Sequence, residues 1–191
     1  MTAEALTEKL IGARLNKHQI MQLVDALVSY PELTGVLLKV IFEQDKLRKN
    51  FNGCWVFDHL MRKKLGYLLP YMNVFIEGLT HISWESTLRP MAHVLEMVNE
   101  RYFVKKDAAY TKTITTEQQE IMAEVCFDWL IGPHKVATKV FAMSNLFYLG
   151  KQFDWIRPEL KSVIERQIPN GTAGFKSRGG KILIKLKNLG Y

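Results

Sequence analysis

Several things are scarce in this chain, and each scarcity removes a class of function. Of 191 residues only two are cysteines, Cys54 and Cys126. They form no CxxC pair and both fall inside apolar helical patterns, so they read as small buried apolar residues rather than as disulfide, redox or metal groups. The longest uncharged stretch near the middle, residues 65–76, is too short to span a bilayer and contains Pro70 and Asn73. The first residues lack a basic start followed by an apolar run and a cleavage site, which sets the expectation of a cytoplasmic protein. The histidines at 18, 59, 81, 93 and 134 make no HExxH; Glu77 and His81, four apart, look like a surface pair. No GxSxG, no Ser-His-Asp set and no paired carboxylates in an apolar setting stand out, so the sequence offers no positive sign of catalysis, metal or cofactor.

Acid is missing from one end. From Arg166 onward the chain has Arg166, Lys176, Arg178, Lys181, Lys185 and Lys187 and not one Asp or Glu, so it holds six of the seven net positive charges there. An overall pI near 9.4 leans toward anionic partners: nucleic acid, acidic lipid or acidic protein surfaces.

Strand alternation is also missing. Apolar residues recur instead at helical spacing, and the expected fold is all-α, with helices at 3–11, 17–29, 32–44, 46–64, 67–80, 87–103, 117–131, 134–149, 156–168 and 173–188. Asn16, Ser86, Asp154 and Thr172 stand where an N-cap oxygen accepts from free amides; Pro31, Pro90, Pro133 and Pro158 fall in expected first turns. Gly12, Gly132, Gly150 and the Pro169-Asn170-Gly171 turn mark helix ends. Residues 104–116, a polar run with β-branched residues, read as a mobile loop or an insertion.

Four segments share a pattern: a polar residue, a small residue three positions on, then an apolar one. They are Asn50/Gly53/Phe57, Arg89/Ala92/Glu96 with Leu95 as apolar neighbour, Lys139/Ala142/Leu146 and Lys176/Gly179/Leu183, with the small residues 39, 50 and 37 positions apart. A small residue there allows two helices of a hairpin to approach closely. Repeats of about 40 residues, each a helix pair, match the HEAT and armadillo range.

The stretches WESTLRPMAHVLEMV, HKVATKVFAMSNLFYL and TAGFKSRGGKILIKL resemble second helices of HEAT-like repeats, with LLPYMNVFIEGL, AEVCFDWLIG and IRPELKSVIERQI as first helices. The resemblance covers residues 31–189. It implies a short right-handed α-α superhelix of about four to five antiparallel pairs in one domain, residues 1–191. Residues 1–30 would cap it, and residues 155–189 would form a basic final repeat. The chain departs from that family in lacking the Asp of the turn before the second helix and in placing Glu96 at an apolar position.

The residues to which the charge points are Lys135, Lys139, Lys176, Arg178, Lys181 and Lys185. On a helical wheel Arg178, Lys181 and Lys185 form one row beside the apolar face of Phe175, Gly179, Ile182, Leu183 and Leu186, while Lys176 and Lys187 fall on the other flank. Residues 171–177, GTAGFKS, fail the phosphate-loop pattern because no Gly precedes the Lys directly and a helix precedes the loop; a free helix start at 172–174 beside Lys176 would still hold an isolated anion. The expected function is a non-catalytic binding or scaffold protein that presents a basic helical-repeat surface to a protein or acidic partner. The alternative is nucleic-acid binding, with base excision as in the HEAT-like alkylation-repair glycosylases; Asp128, beside Trp129, is the candidate for the catalytic Asp under that alternative. An adenylosuccinate lyase assignment is unsupported, because nothing here resembles that family's SSxMPxKxNP loop and the family's chains are longer.

Overall fold

The computed structural model describes residues 1–191 and contains helices and turns, with no strand. The helices are α1 (Ala3–Ile11), α2 (Lys17–Leu27), α3 (Thr34–Glu43), α4 (Phe51–Lys64), α5 (Met72–Leu79), α6 (Glu85–Phe103), α7 (Ala108–Thr113), α8 (Thr116–Ile131), α9 (Val136–Leu149), α10 (Ile156–Gln167) and α11 (Ala173–Asn188). They divide into two compact units, Met1–Val94 and Leu95–Tyr191. Helix α6 runs through the boundary.

In the first unit, α2 begins with a capping box in which Asn16 and Gln19 satisfy each other's backbone amides, at 3.0 and 2.9 Å. Its buried residues Ile20, Leu23, Val24 and Leu27 make the i, i+3, i+4, i+7 stripe that packs it on α4. Helix α4 buries Cys54, Val56, Phe57, Leu60 and Met61, and Phe57 meets Phe75 of α5 with ring centroids 5.8 Å apart. A Cβ at Gly53 would stand 3.0 Å from Ile41 of α3, so the small residue of the repeated pattern marks a close helix approach.

In the second unit, α9 packs on α8, α10 and α11, and α10 packs on α11. Ala142 is fully buried, and a Cβ at Gly179 would meet Ile164 of α10 at 3.0 Å. Both cysteines are buried, and burial pushes their thiols well above the ordinary range.

Several boundaries differ from expectation. The helix expected at 46–64 starts at Phe51, because the chain first makes a turn in which Arg48 takes a positive φ of 55°. The helix expected at 67–80 is split: Leu65–Tyr71 is a 3-10 segment and α5 begins only at Met72, since Pro70 has no N–H and disfavours helical backbone at Leu69. Pro90 lies inside α6 rather than in a first turn, Ser86 lies within that helix, and Pro133 precedes α9. Helix α10 begins after Trp155, which offers no side-chain cap, so Asp154 is not the cap. Residues 104–116 are no bare loop. They form α7, capped by Asp107 on the Ala109 amide at 3.1 Å, and bury Tyr110 and Ile114.

Candidate anion-binding cleft

Helix α11 starts where expected. Thr172 accepts from the Phe175 amide at 3.4 Å, and the helix buries Phe175, Gly179, Ile182 and Leu186. Burying that face directs the opposite flank outward. Arg178, Lys181, Ile184 and Lys185 of α11, with Ser144, Phe147 and Tyr148 of α9, line a cleft of about 360 Å³.

The three cations of this row differ in state. Arg178 donates from Nη1 to Glu96 Oε1 at 3.2 Å and to Ser144 Oγ, and its side chain is only 35% exposed. Lys181 and Lys185 have no carboxylate within ion-pair distance. The Lys185 ammonium sits 5.3 Å from the centroid of Phe147, a cation–π contact that holds it over the cleft. Burial, aided by Glu96 and Glu100 and opposed by Arg178, pushes the Tyr148 phenol up, so it keeps its proton and donates at neutral pH. Two ammonium groups and a phenol O–H beside an apolar wall are groups that can hold an anion through charge-assisted hydrogen bonds.

The other sequence candidates lie elsewhere. Lys139 lines a second cleft of about 350 Å³ with His134, Arg166, Gln167 and Thr172, and donates to Gln167 at 3.3 Å. Lys135 is the exposed residue before α9, and Lys176 is exposed on α11; neither lines the α9–α11 cleft. Asp128 is exposed on α8 and does not line it. Trp129 is buried, whereas Trp155 is 55% exposed and stacks on Phe127 at 5.5 Å. Sequence reasoning missed Phe147, Tyr148 and Ser144, which sit one turn apart on α9; reading α9 as the facing helix of α11 was the signal available.

No protein family, curated protein or solved structure matches this chain. No helix is long and apolar enough to cross a membrane.

Proposed function

We propose that the chain is a non-catalytic binding protein whose HEAT-like helix pairs present the basic α9–α11 face to an acidic segment of a protein partner. The observation that carries this is the pair Lys181 and Lys185: neither has a carboxylate within ion-pair distance, and both line a cleft that also holds Tyr148 and Phe147. Glu96, the acid beside Arg178, is engaged with that guanidinium. The repeat reading draws its support from the small residues Gly53, Ala92, Ala142 and Gly179, all buried, two of them at helix approaches too tight for a free side chain.

Fluorescence anisotropy with a labelled polyglutamate peptide, read at low and high salt, tests the proposal. Affinity that weakens with salt supports a charge-steered interface. Duplex DNA is the contrasting probe; tighter binding of the duplex than of the peptide, with the steep salt slope of phosphate contacts, would overturn the choice of a protein partner.

A further inference from the structure

The first unit contains a cleft of about 440 Å³, the size range of small-ligand sites, that plays no part in the reading above. Arg14, Arg48, Lys49, Phe51, Trp84 and Ser86 line it. None of the three cations has a carboxylate within ion-pair distance. Arg14 instead lies over the Phe51 ring, 3.9 Å from its centroid.

Exposed cations are common, and most are only solvated. These three differ because buried polar residues fasten the segments that carry them. Asn52, 3% exposed, donates to the carbonyls of Leu10 and Ala13 at 3.2 and 3.0 Å and accepts from the Leu15 amide at 2.9 Å, which fixes the turn bearing Arg14 against α4. Asp45, 2% exposed, accepts from Thr87 at 2.6 Å, from Asn50 at 3.2 Å and from the Ser83 amide at 2.9 Å, which ties the Arg48–Lys49 turn to the start of α6 and Trp84. In that turn the Arg48 amide donates to Asp45 O at 2.9 Å while Arg48 holds a positive φ, a conformation that glycine adopts with less strain. The backbone segments that carry the three cations and the half-buried Trp84 are thus fixed before any ligand arrives, which lowers the entropy lost on ordering them.

We infer that this cleft holds a nucleoside phosphate, with Arg14, Arg48 and Lys49 on the phosphate and Trp84 against the base. A phosphate takes charge-assisted hydrogen bonds from all three cations. Its aromatic base adds stacking, which inorganic phosphate lacks. A base paired inside a duplex has both faces covered by its neighbours, so the ligand is either a free nucleotide or a nucleotide within a single strand.

Isothermal titration of the whole chain with adenosine 5′-monophosphate tests this. The expected results are binding, about tenfold weaker binding of inorganic phosphate in line with the value of one stacked base, and affinity for the nucleotide reduced about tenfold or more in Arg48→Gly/Lys49→Gln. Glycine suits the backbone at position 48, so the melting temperature of that variant stays at or above the wild-type value, and a binding loss is then not unfolding. Trp84→Phe keeps affinity, whereas Trp84→Ala brings the nucleotide down to the level of phosphate. A single-stranded oligonucleotide of about ten residues that displaces the monophosphate assigns the ligand to a strand, and failure to displace it assigns it to the free nucleotide. The inference is independent of the α9–α11 cleft: Lys181→Glu/Lys185→Glu keeps nucleotide affinity. Absence of nucleotide binding, equal affinity for phosphate and nucleotide, or wild-type affinity in Arg48→Gly/Lys49→Gln overturns it.

Discussion

Arg178 reaches Glu96 at 3.2 Å across 82 positions of sequence, and Ser144 accepts from the same guanidinium nitrogen. The contact joins α11, α6 and α9 within the second unit. It also divides the basic row: Arg178 is a neutralised anchor, and the uncompensated charge lies on Lys181 and Lys185. The acid that interrupts the apolar pattern of α6 is therefore the counter-charge of the C-terminal helix.

Breaking this pair measures it. Arg178→Ala leaves a half-buried Glu96 and the Ser144 hydroxyl without their donor, and the expected loss is about 1–2 kcal/mol in urea unfolding. Because Arg178 is still partly solvated, the coupling energy in a double-mutant cycle with Glu96→Ala is expected to be only about 0.5–1 kcal/mol. A coupling indistinguishable from zero would mean that the contact is incidental.

Two neighbouring glycines of α11 are predicted to respond with opposite sign. At Gly180 an added Cβ meets nothing within 4 Å, so Gly180→Ala gains the helix preference of alanine, about 0.5–1 kcal/mol. At Gly179 the same atom stands 3.0 Å from a fully buried Ile164, and the cost of overpacking, about 1–3 kcal/mol, exceeds that gain. Thermal melting of the two variants checks this. Stabilisation by Gly179→Ala would contradict the close approach of α10 and α11.

The row on α11 was legible because it depends only on the 3.6-residue period within one helix and on Thr172 as its cap. The all-helical class followed from the same period. What escaped depends on distant partners. Glu96 reads as a defect until Arg178 is placed beside it. The polar run 104–116 reads as a loop because α7 is too short to show a period, and only the burial of Tyr110 and Ile114 explains it. Asp45 and Asn52 look like ordinary polar residues near helix ends; their role comes from partners 37 to 43 positions away.

Asp45 is expected to be the most sensitive of these polar residues. Both its oxygens accept, one from Thr87 and Asn50 and the other from the Ser83 amide. Asp45→Asn turns one of the two edges into a donor that faces other donors, so urea unfolding is predicted to show a loss of about 2–4 kcal/mol. A loss below about 0.5 kcal/mol, the range of ordinary surface substitutions, would contradict the network.

Acid stability is predicted to depend on Asp58. Burial alone would raise its carboxyl, but the hydrogen bond and charge of His93, at 2.5 Å, and of Arg62, at 2.7 Å, outweigh burial and hold it below the ordinary carboxylate value. A depressed folded-state value stabilises the fold fully above the unfolded value, about pH 4, and that contribution is lost as pH falls through the folded value. Asp58→Asn is expected to be less stable at neutral pH and to show a smaller fall in melting temperature below about pH 4. Equal falls in the two proteins would remove Asp58 from the acid transition.

The central claim is that Lys181 and Lys185 make a docking face for acid. Its most direct test is the affinity of a labelled acidic peptide for wild type and for Lys181→Glu/Lys185→Glu, with circular dichroism to show that both variant and wild type are helical. The prediction is a loss of about tenfold or more, because two attractive charges become repulsive beside the same ligand. Unchanged affinity in a fully helical variant would contradict the account.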